Sequence, residues 1–181
     1  EGGPLFSTRD HYMAIRDLAR DNGLVMGTDE IQTGLGRCGY IMAWQEFGEE
    51  ARPDFVTLGK ALGGGIIPVS AVVGTEKFMK IFTPGSDGST YGGYPIAAAS
   101  TVAALSYIEK EDISGKSRDL GNHFVEKLRK ELPDVVVENR GMLIRVELKG
   151  VKTAKNTGHM YVTLKIMAPE QRDLELERAI K

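Results

Sequence analysis

Three observations predict an α/β architecture over residues 1–110, followed by a smaller α+β unit over 111–181. Short apolar runs alternate with helix-periodic stretches through the first part. Those runs end on polar or glycine-rich sequence, as strands do when they deliver a ligand site at their C-terminal ends. After Lys110-Glu111-Asp112 the order changes to helix, strand, strand, helix, which suits a small mixed unit.

The elements follow in order. Ser7-Thr8-Arg9-Asp10 has the Ser-x-x-Asp form of a capping box. Tyr12, Ile15, Leu18 and Ala19 recur at helical spacing, and Asn22-Gly23 closes that helix. Leu24 to Thr28 reads as a strand running into Asp29-Glu30, and a loop with Gly34, Gly36 and Gly39 comes next. Arg52-Pro53-Asp54 introduces a second strand, Phe55 to Leu58, that ends on Gly59-Lys60. Gly63-Gly64-Gly65 precedes a third, Val69 to Val73, and Thr75 caps a helix through Phe82. Residues 84–95 are turn-rich, and Pro95 opens an Ala-rich helix to Glu109. Beyond the boundary, Leu120, Phe124 and Leu128 mark a charged amphipathic helix, over Lys116 to Glu131, that stops before Pro133. Val135–Val137 and Leu143–Leu148 read as strands around Asn139-Arg140-Gly141, and the last dozen residues read as a helix. There is no internal repeat.

Composition narrows the function classes. With 23 Lys+Arg against 25 Asp+Glu, the net charge of −2 leaves no electrostatic footprint for nucleic acid. A single cysteine, Cys38, cannot form an internal disulfide and fits a reducing, intracellular setting: cytoplasm or mitochondrial matrix. No apolar run reaches the roughly 18 residues of a membrane-spanning helix. His11, His123 and His159 have no metal-like spacing to each other or to Cys38, so no metal site is expected. The opening Glu1-Gly2-Gly3-Pro4, without Met or a preceding element, is expected of a piece of a larger protein.

Lys60 directly follows an apolar strand, which predicts a position at the mouth of the sheet. Burial there lowers an amine's pKa, and a neutral amine can form a Schiff base. A lone strand-end lysine is most often solvated, and a lone Asp29 most often serves a turn. Together they suit pyridoxal 5'-phosphate, which needs a lysine and a carboxylate that keeps its pyridine nitrogen protonated. Gly88-Ser89-Thr90-Tyr91-Gly92-Gly93 adds hydroxyls and backbone N–H groups suited to an anion. Gly34-Leu35-Gly36-Arg37-Cys38-Gly39 matches a dinucleotide fingerprint only formally. Asp29 and Glu30 precede it and would repel a pyrophosphate, and Asp54 begins a strand where the ribose acid should end one.

These blocks, Asp29 to Arg37, Thr57 to Gly65, Pro68 to Val72 and Gly88 to Gly93, resemble the class III aminotransferases of fold type I, closest to the ornithine aminotransferase branch. The resemblance spans about residues 1–150 and implies the second half of the cofactor-binding large domain (1–110) with a shortened C-terminal domain (111–181). It implies Lys60 as the Schiff-base lysine and proton carrier, Asp29 against the pyridinium nitrogen, Ile31 against the ring and Gln32 on its phenolic oxygen. Ser89 and Thr90 belong to the phosphate-binding block, and Thr90 would reach the cofactor of the neighbouring subunit in a homodimer. Glu1 matches a glutamate that in ornithine aminotransferases switches between substrates. The implied partners are a small-molecule amino donor, ornithine or an acylated relative, and the 2-oxo acid 2-oxoglutarate; Glu1 and Tyr91 favour ornithine itself.

The departures are specific. The resemblance places the family's phosphate loop and a ring-stacking aromatic in the half of the large domain that would precede Glu1. Lys165 stands where the family places an arginine for the substrate carboxylate, and a lysine loses the bidentate fork. The segment from Leu148 to Lys165 is short, Tyr94 replaces an asparagine, and Gly27-Thr28 replaces a more apolar pair. Two other readings stay open: a different reaction of the same cofactor, such as aminomutation or decarboxylation, and an inactive chain that serves as a binding or dimerisation partner.

Overall fold

The computed structural model describes residues 5–133, 136–152 and 157–161. Glu1, Lys165 and the expected C-terminal helix lie outside them.

Helix α1 spans Arg9–Asp21, and its N-cap is Thr8 rather than Ser7. Thr8 Oγ1 accepts from the His11 N–H at 3.2 Å, satisfying a donor the helix leaves unpaired. Gly23, at φ +65°, turns the chain so that Leu24 N reaches Ala19 O at 2.8 Å. Strand β1 then covers only Gly27–Asp29, shorter than expected, with Leu24 and Val25 left exposed. The Asp54 carboxylate ties this entry together, accepting from Met26 N at 2.9 Å and pairing with Arg16 at 3.5 Å.

Strand β2, Phe55–Leu58, lies at the centre of a three-stranded sheet, parallel to β1 and antiparallel to β3 (Ala71–Gly74). Its alternation buries Val56 and Leu58. Gly27 pairs with Phe55, and a Cβ on Gly27 would fall 2.2 Å from the Phe55 ring, which itself stacks on Phe78 at 4.4 Å. The small residue therefore makes room for an aromatic from the next strand. β3 starts two residues later than predicted because Val69 packs into the core instead. Helix α2, Glu76–Met79, is a single turn capped by Thr75 and ends before Phe82. Pro95 occupies the first turn of α3, Pro95–Lys110.

Leu35, Trp44, Val56, Leu58, Leu62 and Ile108 form the core under this sheet. A second core, Val125, Val137 and Ile144 with Phe124 and Leu128, lies between helix α4 (Ile113–Glu131) and the sheet β4-β5-β6. Asp112 Oδ1 caps α4 through Gly115 N at 3.0 Å, so the helix begins three residues before Lys116. Strands β4 (Val136–Arg140) and β5 (Leu143–Lys152) pair antiparallel, and β6 (Thr157–Tyr161) adds a strand the sequence pattern did not indicate.

The loop after β1 joins the two cores. Its Arg37 carbonyl accepts from Ser117 Oγ (2.9 Å) and Met142 N (3.1 Å), and the Gly39 carbonyl from Arg118 (3.0 Å). Gly141, at φ +53°, packs its backbone on this loop, and a Cβ on Gly121 of α4 would fall 1.8 Å from Gly141 O. Arg140 completes the seam. It pairs with Glu46 at 3.0 Å, donates to Ser7 O and lies 5.1 Å from the Phe47 ring centroid.

Candidate active site

Two parallel strands end side by side, and the chemistry follows from what comes after each. Asp29 closes β1 opposite Thr57 of β2, and Glu30 N extends the ladder by one bond to Thr57 O at 2.9 Å. The chain then turns. Asp29 Oδ1 accepts from Ile31 N at 2.9 Å, which fixes the carboxylate at the strand end while leaving it exposed. Ile31 packs over Gly59, where a Cβ would lie 3.4 Å from Ile31 Cγ2.

Lys60 follows β2 and starts a 3-10 turn over Lys60–Gly63 that closes on Gly64 at φ +63°. Its own φ of +47° is unusual for a residue with a Cβ and costs about 1–2 kcal/mol. Such strain persists where surrounding contacts fix it. Here Leu62 is buried in the core, Leu62 N bonds to Gly59 O at 3.0 Å, and Ser100 of α3 donates to Gly63 O at 2.9 Å. Lys60 Nζ donates to Gln32 Oε1, joining the two strand ends. The side chain is exposed, which corrects the expectation of a buried amine: the described residues wall it on one side only. That wall belongs to an open cavity of about 880 Å³ between the strand ends, α3 and α4, bordered by Ile31, Gln32, Lys60, Arg37, Ile96 and Tyr107.

Three of the expected site residues, Ile31, Gln32 and Lys60, thus border one cavity; Asp29 closes β1 beside them but is not on the cavity wall. Ser89 and Thr90 do not join them. They lie on an exposed stretch of turns outside the cavity wall. Glu1 and Lys165 fall outside the described residues. Among the described residues no cluster of side chains could hold a metal ion.

A lysine, a carboxylate, an amide and a branched aliphatic side chain at adjacent strand ends fit the reactive edge and ring of pyridoxal phosphate. The lysine can bond to its carbonyl carbon, the carboxylate can face its ring nitrogen, and Gln32 offers an amide to its ring oxygen.

Sequence reasoning missed Glu30, noting it only as a charge. It is 3% exposed and accepts three hydrogen bonds, from Thr33 Oγ1 (2.6 Å), Ala43 N (3.0 Å) and Trp44 N (3.1 Å). Its charge is felt nearby. Burial first, then Glu30, pushes both the Tyr12 hydroxyl and the Cys38 thiol up to about 12. No local sequence signal marks such a residue, because its backbone partners are 13 and 14 positions away.

The sequence pattern of the class III aminotransferases matches residues 1–169. The chain belongs to that family. Class III aminotransferases use pyridoxal phosphate. Over 152 residues the chain is 42% identical to ornithine aminotransferase 2 of Staphylococcus aureus, covering 82% of this chain and 37% of that relative. Among solved structures, the ornithine aminotransferase of Toxoplasma gondii, described with partial occupancy of pyridoxal phosphate at its active site, superposes with a TM-score of 0.75 at 36% identity. That match covers 81% of this chain and 36% of the other. The acetylornithine aminotransferase of Elizabethkingia anophelis gives 0.69 at 34% identity, covering 78% and 37%. This class III chain therefore spans little more than a third of the length of the relatives it matches. Its mixed α/β content agrees with those neighbours. Among the described residues no helix is long and apolar enough to cross a membrane.

Proposed function

We propose that this chain carries the lysine-bearing half of a transaminase site, acting on the δ-amino group of ornithine or an acylated ornithine with 2-oxoglutarate as acceptor. The observation that carries the reading is the meeting of Lys60 and Gln32 across the ends of β1 and β2, with Asp29 at the neighbouring strand end. The ornithine and acetylornithine aminotransferases among its relatives supply the substrate class.

Pyridoxal phosphate, when bound, would supply the electron sink that allows the C–H bond on the carbon bearing the transferred amine to ionise. The residues of this chain would supply the lysine side of the site. Lys60 Nζ would anchor the cofactor and carry the proton from the amine-bearing carbon of the substrate to the cofactor's C4′ carbon. The Asp29 carboxylate holds a proton on the ring nitrogen, Gln32 orients the ring oxygen, and Ile31 packs against the ring face. In this reading residues 1–110 are the second half of a fold type I large domain, and 111–181 a small C-terminal domain. Ser89 and Thr90 face the phosphate bound by a second subunit of a homodimer. Glu1 and Lys165, proposed from sequence resemblance alone, contact substrate. The single buried Cys38 favours an intracellular setting.

The test is a titration of the chain with pyridoxal phosphate followed by visible absorbance, in the wild type and in Lys60→Ala, then product analysis with ornithine, acetylornithine and 2-oxoglutarate. A saturable band lost in the variant, with 2-oxoglutarate converted to glutamate only when ornithine or acetylornithine donates the amino group, is expected. A decarboxylated or isomerised product would reassign the reaction. No Lys60-dependent band would mean that this chain does not build the site by itself and is either a fragment that needs the rest of the large domain or an inactive partner.

A further inference from the structure

Glu30 is a carboxylate shut inside the first core, and no ion pair reaches it among the described residues. A buried charge without a cation costs several kcal/mol unless hydrogen bonds satisfy it. Three do, and their arrangement is informative. Thr33 Oγ1 lies three residues ahead, whereas the Ala43 and Trp44 amides come from the 3-10 turn beyond the glycine loop. The one carboxylate therefore closes the loop from 30 to 44 at its base. The Glu30 carbonyl also accepts from Gly34 N at 2.9 Å, closing the tight turn that contains Ile31, Gln32 and Thr33. Gly34 is needed there, since a Cβ would fall 2.7 Å from that carbonyl.

We propose that Glu30 is a positioning residue for the cofactor site, holding the Ile31–Gln32 turn in register with Lys60 through its bonds to Thr33, Ala43 and Trp44. The inference rests on the reading of Lys60 as the cofactor lysine. Glu30 itself touches no cofactor. It acts through the turn, and charge is what the role requires: all three partners are donors, so an acceptor-only group satisfies them at once. Glutamine in its place keeps the shape but sets an NH2 group against one of these donors.

The test compares Glu30→Gln with Thr33→Val, which removes a single donor, and with Val125→Ala, which weakens the second core without touching the loop. Three readouts apply to the 181-residue chain: the pyridoxal phosphate dissociation constant, amide exchange over residues 31–36, and the acylation rate of Lys60. Trp44, the sole tryptophan, reports the anchor directly through its emission. Glu30→Gln should weaken cofactor binding by about tenfold or more, speed exchange over 31–36 and raise Lys60 acylation; these losses are of the size of a charge-assisted hydrogen bond. Thr33→Val should move all three in the same direction by less, and remains informative if Glu30→Gln does not fold. Val125→Ala should lower the melting temperature and leave them unchanged.

Equal effects from Val125→Ala, or none from either loop variant, would overturn the proposal. If the wild type itself binds no pyridoxal phosphate, the functional reading fails. The exchange and acylation rates then decide the role of Glu30: faster in the loop variants supports it, unchanged overturns it.

Discussion

The loop from Glu30 to Trp44 and the turns from Thr83 to Tyr94 are both glycine-containing connections, yet they are built in opposite ways. The first is organised around a buried carboxylate and clamped to α4 through Arg37 and Gly39. The second is exposed throughout, held by short local bonds such as Ser86 N to Thr83 O at 2.9 Å and Gly92 N to Ser89 O at 3.1 Å. The first is therefore tied down by bonds to distant parts of the described chain. The second displays Ser89 and Thr90 on a surface that the proposed homodimer would cover. In the proposed site, the ring-facing residues would stand on the clamped loop and the phosphate-facing residues on the exposed turns.

Substitutions can break or sharpen that contrast. The largest effect is expected where the loop meets α4. Gly121→Ala would drive a Cβ into the Gly141 carbonyl and should cost about 3 kcal/mol in urea unfolding, the upper range of overpacking. A near-neutral result would mean that the seam between the cores is loose. Gly27→Ala should cost about 2 kcal/mol, because the new methyl meets the Phe55 ring. Pairing it with Phe55→Leu should recover part of the loss, and strict additivity would show that the two residues do not share the space.

A pH effect of intermediate size comes from Cys38, whose thiol rises from 9.0 to about 12. The folded chain keeps that proton where the unfolded chain releases it. The stability this confers is full below about pH 9 and is lost as pH climbs toward 12. The urea midpoint should fall across that window. Cys38→Ala should flatten part of the fall, with Tyr12, raised in the same direction, supplying the remainder. The smallest effect belongs to the other region: Thr90→Ala should change stability by less than about 0.5 kcal/mol. A larger loss would show that the turns are packed in the free chain.

Much of the fold is written locally. The run Phe55–Leu58 gives β2 because it is short, apolar and bounded by Pro53 and Gly59. Pro95 sets the start of α3 because its fixed φ suits a first turn. Lys60 and Gln32 are singled out as candidates by their motifs, and their side chains are hydrogen-bonded to each other. What escaped local reading depends on distant partners. Leu24 and Val25 look like strand residues but lie exposed before the edge strand, where the described chain offers nothing to pack on them. β6 forms because β5 extends to Lys152 and offers an edge, a pairing no window of residues 157–161 reveals. Glu30 is placed by amides 13 and 14 residues away, and Gly27 is explained only by a ring on the adjacent strand.

The central claim is that Lys60, set at the end of β2 with a positive φ and a bond to Gln32, is a cofactor lysine in this chain. Reduction with borohydride in the presence of pyridoxal phosphate, followed by peptide mass mapping, tests it most directly. The account predicts one dominant pyridoxyl adduct, on Lys60, that disappears in Lys60→Ala without appearing elsewhere. An adduct spread over the exposed lysines, unchanged by that substitution, would contradict it.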